Sequence, residues 1–174
     1  MKKRAKRYIC ICLAIITTVV LLVSIYNVMN KKNIDIDVKF GKKAIEVFNK
    51  EKNFEEILKK LNNENLVYVK NGDEISIMFN REKPRKIAVT EYILTDEGKY
   101  KYGKEKIGED VNVEWDNSKA VFKVKPNVST MLSSNGEDYN PKGVIKGYRL
   151  VIDYAEKSED YCFVIKGDAA IINK

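Results

Sequence analysis

The side chains that most often carry catalysis are sparse in this sequence of 174 residues. It contains no histidine, which excludes Ser-His-Asp and Cys-His catalysis, HExxH zinc sites and histidine proton transfer within this chain. The GxxxxGK[ST] and GxGxxG phosphate loops and the CxxC redox motif are also missing. Carboxylates are the remaining catalytic groups. A run of them lies between residues 105 and 116, namely Glu105, Glu109, Asp110, Glu114 and Asp116.

These five carboxylates lie among lysines in a segment rich in turn residues. Such surroundings are typical of a solvated surface, so we predict that the chain is not an enzyme and has no cofactor. A carboxylate-dependent hydrolase remains an alternative, because a pair of acidic side chains is sufficient for glycosidase-like chemistry.

A long loop between residues 133 and 147 is the first candidate for a binding site. It joins two segments with strand-like sequence and exceeds the usual length of a hairpin connection. Its oxygen ligands do not follow the spacing of an EF-hand, so we predict no metal site there. Glu137, Asp138 and Tyr139 are the residues that we expect to contact a partner.

Tyr100 and Tyr102 are the second candidate, because they alternate with Lys99 and Lys101. In a strand this spacing places the tyrosines on one face and the lysines on the other. Aromatic rings beside cations suit an anionic wall polymer or a lipid headgroup. The competing interpretation is structural, since lysines protect an edge strand and tyrosines pack on a sheet.

The longest uncharged run in the chain extends over residues 8–30. As a helix, its 23 residues span about 35 Å, enough to cross a hydrocarbon core of about 30 Å. The run is longer than the apolar region of a cleaved signal peptide and lacks an A-x-A-like site, so we predict an uncleaved anchor that inserts into the lipid bilayer. The basic tail over residues 1–7 predicts a cytoplasmic N-terminus and a C-terminal domain outside the cell membrane.

The formal charge of +7 belongs mainly to that tail. Five of the 32 basic residues and none of the 25 acidic residues precede residue 31, which leaves 27 basic and 25 acidic residues in the rest of the chain. A domain with nearly equal numbers of basic and acidic residues lacks the positive electrostatic field that attracts phosphates. We therefore predict no binding of nucleic acid.

Residues 33–174 suffice for one domain with its own core. Cys162 is the sole cysteine there, so the domain has no internal disulfide, and its apolar neighbours predict a buried thiol. Phe54, Ile57, Leu58 and Leu61 have helical spacing after a capping Asn53. Apolar residues upstream extend this pattern, and we predict an amphipathic helical stalk over residues 31–64.

Strand-like segments separated by turn residues fill residues 65–174. Hairpins are predicted around Asn71-Gly72, around Asp96-Glu97-Gly98 and around Asp116-Asn117-Ser118, and a further strand pair follows over residues 144–154 and 161–165. The predicted fold is therefore α+β or mainly β: a transmembrane helix, a helical stalk and an antiparallel, sandwich-like extracytoplasmic domain. A glycosylation sequon at Asn127-Val128-Ser129 applies only in a eukaryotic secretory pathway.

These features favour a membrane-anchored accessory or interaction protein of the cell envelope, with an envelope protein as its partner. A module that binds a wall polymer or a small ligand is the alternative from a different class.

Overall fold

The computed structural model describes residues 34–49, 52–102, 108–131 and 143–169. The unit Ile34–Lys174 is compact. Its described residues form one α-helix, α1 (Phe54–Leu61), two short 3-10 helices and eleven strands in two sheets. The predicted anchor over residues 8–30 and the tail over residues 1–7 lie outside the described residues.

The first sheet has the strand order β2-β1-β5-β9-β8, with antiparallel neighbours throughout. Its strands are β1 (Ile36–Phe40), β2 (Lys43–Ile45), β5 (Glu74–Phe79), β8 (Glu114–Asp116) and β9 (Lys119–Lys123).

The second sheet has the order β3-β11-β10-β6-β7, and β4 pairs with β11 in parallel. Its strands are β3 (Phe48–Asn49), β4 (Tyr68–Val69), β6 (Lys86–Leu94), β7 (Glu109–Val111), β10 (Val144–Asp153) and β11 (Ser158–Gly167). The prediction of a mainly antiparallel β fold is confirmed by both sheets.

The two sheets pack face to face around the larger apolar core. Ile75, Ile77 and Phe122 of the first sheet belong to the same buried cluster as Leu150 and Phe163 of the second. The other face of the second sheet is covered by α1, whose Phe54, Ile57 and Leu58 are buried with Val164 and the predicted buried thiol of Cys162. The second sheet is thus buried on both faces, which explains the unbroken apolar run from Tyr161 to Ile165.

The helix prediction is confirmed for residues 54–61 and wrong upstream of them. Asn53 caps α1 by accepting a hydrogen bond from the Glu56 N–H at 2.8 Å. Among the described residues of the expected stalk, however, β1, β2 and β3 are strands that belong to the two sheets. Their apolar residues gain more burial by pairing in a sheet than a free amphipathic helix provides.

The predicted hairpin around Asn71-Gly72 is also wrong, although the turn itself forms. Gly72 has a φ of +94°, yet β4 pairs with β11 while β5 pairs with β1 and β9. Asp168 explains this arrangement, because its carboxylate accepts hydrogen bonds from the Tyr68 hydroxyl and from the Asn71 N–H. Tertiary contacts therefore hold β4 on the second sheet.

The other predicted turns are confirmed. Asn117 adopts a φ of 55° between β8 and β9, and the Gly98 N–H donates to the Thr95 carbonyl at 2.9 Å. β10 and β11 pair over their full lengths, and the turn between them is shorter than the predicted connection over residues 155–160.

Position 98 requires glycine for two reasons, its positive φ and its close approach to Phe54. Substitutions at Gly98 and Gly72 distinguish the two contributions. Its φ is +87°, and a Cβ at this position would lie 2.6 Å from the Phe54 carbonyl oxygen. Gly72 has a similar φ of +94°, but a Cβ there would meet nothing within 4 Å. We expect Gly98→Ala to lower the free energy of unfolding by about 3 kcal/mol and Gly72→Ala by about 1 kcal/mol. Chemical denaturation of the purified chain measures both, and equal losses would contradict the role of the Phe54 contact.

Candidate functional site

A cluster of aromatic and cationic side chains lies at one edge of the first sheet. Trp115 on the edge strand β8 is 38% exposed, and its ring centroid is 5.6 Å from that of Phe79. The Lys83 ammonium lies 4.3 Å from the centre of the Trp115 ring, within the range of a cation–π interaction. Phe79, Lys83 and Trp115 are called the Trp115 patch below.

The loop over residues 80–85 carries Lys83 and is fixed to its surroundings. The Asn80 N–H donates to the Asp35 carbonyl at 2.8 Å, and the Arg81 guanidinium is 3.1 Å from the Asp35 carboxylate. The Arg85 N–H donates to the Asp153 carbonyl at 2.8 Å, and Pro84 is buried. The loop contains three basic residues and one acidic residue, so it is positively charged beside the exposed tryptophan.

Glu159 lies near this loop, at the start of β11. Its carboxylate accepts hydrogen bonds from the Tyr161 hydroxyl at 2.6 Å and from the Lys157 ammonium. Burial raises the pKa of Glu159, but these two hydrogen bonds and the charges of Lys157 and Arg81 outweigh burial and hold the pKa below its usual value. The ionised carboxylate therefore stabilises the turn between β10 and β11.

A second cluster is polar and lies inside the sandwich. The Glu91 carboxylate accepts hydrogen bonds from the Asn127 amide at 2.9 Å and from the Tyr148 hydroxyl, and it is 3.3 Å from the Lys146 ammonium. Lys146 is 0% exposed, Asn127 2% and Glu91 5%. The Lys146 ammonium also donates to the Lys125 carbonyl at 2.7 Å. We call Glu91, Asn127, Lys146 and Tyr148 the Glu91 cluster.

Aromatic rings enclose the Glu91 cluster on one side. The Tyr148 ring stacks on Phe163 with centroids 4.9 Å apart and lies 5.4 Å from the Phe122 ring. Burial, followed by the negative charge of Glu91 and the hydrogen bond to it, raises the pKa of Tyr148 well above its usual value. The phenol therefore stays protonated and remains a hydrogen-bond donor to Glu91.

Asn127 is held in place by its own backbone turn. Its Oδ1 accepts a hydrogen bond from the Ser129 N–H at 2.9 Å, and its carbonyl accepts one from the Thr130 hydroxyl at 2.6 Å. These bonds open the 3-10 helix Val128–Met131. The folded domain thus encloses the acceptor nitrogen of the sequon that begins at Asn127.

The predicted binding tyrosines do not form a regular strand with their lysines. Tyr100 makes a single bridge to Leu94, and its ring packs against Phe54 and Tyr92 with centroids 5.9 and 5.2 Å away. Burial raises the pKa of the half-buried Tyr100. Tyr102 is also half-buried, with the Lys101 ammonium 6.0 Å from its ring centre. The structure therefore places Tyr100 in the apolar layer beneath α1.

The remaining predicted residues separate into two groups. Glu137, Asp138 and Tyr139 lie outside the described residues, as does Glu105. The other carboxylates of the 105–116 run are divided between the sheets, because Glu109 and Asp110 lie on β7 while Glu114 and Asp116 lie on β8. Within the described parts of the chain, no group of three or more acidic or cysteine side chains is arranged to hold a metal ion.

Sequence reasoning missed both clusters, although one signal for the Glu91 cluster was present. Lys146 has the same parity along β10 as the inward Tyr148, Leu150 and Ile152, and Glu91 has the same parity along β6 as Val89. A charged residue at an inward position of a strand indicates a buried polar contact. No comparable signal identifies Trp115, whose partners come from β5 and the following loop.

Comparison with protein families, with curated proteins and with solved structures finds no match to this chain. Over residues 34–49, 52–102, 108–131 and 143–169, the structure contains no helix long and apolar enough to span a membrane.

The lowered pKa of Glu159 predicts how stability depends on pH. A carboxyl group with a lower pKa in the folded state stabilises the fold above its unfolded pKa of about 4.3, and this contribution is lost as pH falls through the folded pKa. We expect Glu159→Gln to lower the melting temperature at pH 7 and to reduce the fall in melting temperature between pH 5 and pH 3. Parallel pH profiles for the wild type and the variant would contradict this role of Glu159.

Proposed function

We propose that this chain is a non-enzymatic, membrane-anchored interaction protein whose β-sandwich lies outside the cytoplasmic membrane. In this proposal residues 8–30 insert into the bilayer, residues 1–7 stay in the cytoplasm, and the folded domain binds another protein of the envelope. The uncharged run and its basic flank support the anchor.

The observation that carries the binding role is the Trp115 patch. Tryptophan is enriched at the energetic centres of protein interfaces, because a large rigid ring loses little conformational entropy on binding. Here the ring is exposed on an edge strand, with Phe79 packed near it and the Lys83 ammonium over the ring. Trp115 is therefore already oriented before a partner arrives, which lowers the entropic cost of association.

The partner that fits this patch is a protein surface with an apolar pocket and an acidic rim. The pocket would receive the Trp115 ring, and the rim would face the basic loop over residues 80–85. We further propose that Glu137, Asp138 and Tyr139 form a second contact, as expected of a long loop on a rigid sheet. The half-buried Tyr102 is a candidate for a third, while Tyr100 contributes through packing.

A wall polymer is the second candidate ligand, and the pairing of Lys83 with Trp115 favours it. An indole ring stacks on a sugar face, and a cation beside that ring attracts an anionic polymer. Such binding depends on charge and therefore weakens steeply with added salt.

Crosslinking of the tagged full-length protein in its native membrane tests the proposed function. We expect a specific envelope protein to copurify with the wild type, and Trp115→Ala to reduce its recovery at least about tenfold, as for an interface hot spot. Val128→Ala is the matched control, because Val128 is 66% exposed and lies outside the patch. A version with a foreign membrane helix should retain the partner.

Three results would contradict parts of this proposal. Equal recovery with Trp115→Ala and Val128→Ala would remove the Trp115 patch from the interface. Loss of the partner with the foreign helix would move the interaction into the membrane. Salt-sensitive retention of the chain on isolated cell wall, without a protein partner, would replace the envelope protein by the polymer.

A further inference from the structure

The Glu91 cluster brings together three groups that can react with one another. A primary amine, a carboxamide and a carboxylate lie within hydrogen-bonding range in the interior of the sandwich. We infer that Lys146 and Asn127 become joined by an intramolecular amide bond, which the folded chain forms by itself with Glu91 as the catalytic residue. This inference does not depend on the proposed binding function.

Both nitrogen atoms of the reaction lie close to the same carboxylate oxygen, Glu91 Oε1. The Lys146 Nζ lies 3.3 Å from Glu91 Oε1, and the Asn127 Nδ2 lies 2.9 Å from the same Oε1. The Ser129 N–H donates to Asn127 Oδ1 at 2.9 Å. Glu91 can therefore exchange protons with both nitrogens, while a backbone N–H faces the carbonyl oxygen on which negative charge develops.

The reaction balances without an oxidant, a reductant or a second substrate. The Lys146 ammonium gives one proton to Glu91, and the neutral amine attacks Asn127 Cγ to form the new C–N bond. The tetrahedral intermediate carries its negative charge on Oδ1, against the Ser129 N–H. Glu91 then protonates Nδ2, the Cγ–Nδ2 bond breaks, and ammonia leaves with the remaining proton as ammonium. The product is a neutral secondary amide.

Burial of Lys146 and Asn127 favours the amide bond over attack by water on Asn127 and over a lasting buried ammonium. Lys146 is 0% exposed and Asn127 2%, so water is largely excluded from the amide carbon and the amine keeps little of its hydration. A buried ammonium is costly to desolvate, whereas a neutral amide with its hydrogen bonds satisfied is not. Tyr148 is a positioning residue, since its hydroxyl holds Glu91 Oε2 while Phe122 and Phe163 hold its ring.

The bond would join the second sheet covalently to the segment that follows β9 of the first sheet. Asn127 follows β9 of the first sheet, and Lys146 lies on β10 of the second. A link between them closes the chain from residue 127 to residue 146 and reduces the conformational entropy of the unfolded state. The bond would stabilise the domain as a disulfide does in other proteins. The only cysteine of residues 33–174 is Cys162, so these residues form no internal disulfide.

Intact-mass spectrometry of the full chain, purified in detergent, tests the inference. We expect the wild type to be lighter by one ammonia, about 17 Da, than its sequence requires, and Lys146→Arg to have its full sequence mass. Trypsin should release residues 124–142 joined to residues 143–149, because modified Lys146 is not cleaved. Tandem fragmentation of that species assigns the bond to Asn127 and Lys146.

The controls separate the cross-link from other reactions of asparagine. A succinimide at Asn127 also loses ammonia, but it would persist in Lys146→Arg, and that result would overturn the inference. Lys123→Arg changes an exposed lysine on β9 and should keep the mass deficit. Glu91→Gln should restore the full mass, and Tyr148→Phe should leave a mixture of linked and unlinked chains.

The wild-type result is decisive even where a variant fails to fold. A folded wild-type chain at full sequence mass, with separate tryptic peptides for residues 124–142 and 143–146, would overturn the inference. The mass also separates this inference from the proposed function, since no binding partner affects it.

Discussion

The carboxylate of Glu91 is the constraint on which the arrangement of this domain depends. It is buried between two sheets, where an unpaired charge is very costly, and it is satisfied by three donors, two from β10 and one from the segment after β9. A shift of one residue in the pairing of β6 with β10 would move Glu91 to the opposite face, against the apolar layer under α1. The Glu91 cluster therefore fixes the register between β6 and β10. It also fixes the position of the second sheet relative to the segment after β9.

The second sheet joins the two apolar layers. Its inward face completes the core with the first sheet, and its outer face is covered by Phe54, Ile57 and Leu58 of α1. The fit on the outer face is close, because a Cβ at Gly147 would lie 2.9 Å from the Phe54 ring. With both faces buried, the second sheet forms the packed centre of the domain, and the exposed Trp115 patch lies instead at the edge of the first sheet.

The packed interior supports the proposed function by holding the Trp115 patch in place. The Trp115 patch can present a fixed aromatic surface because β8 and the loop over residues 80–85 are held by backbone hydrogen bonds and by the Asp35–Arg81 ion pair. A covalent bond within the Glu91 cluster would act in the same direction, by preventing separation of the sheets under load. In the proposed function, such a load would arise whenever the envelope partner moves relative to the membrane anchor.

Local patterns in the sequence determined the antiparallel β character, the cap and apolar face of α1, the burial of Cys162 and the turns at Gly98 and Asn117. Each of these depends on contacts between near neighbours or on the parity of one strand. Tertiary structure alone decided that β1 and β3 pair with strands far away in the sequence and that β4 leaves its expected hairpin, because pairing with distant strands buries more apolar surface. It also decided both clusters, since Trp115 meets Lys83 and Glu91 meets Asn127 only when segments more than thirty residues apart are folded together.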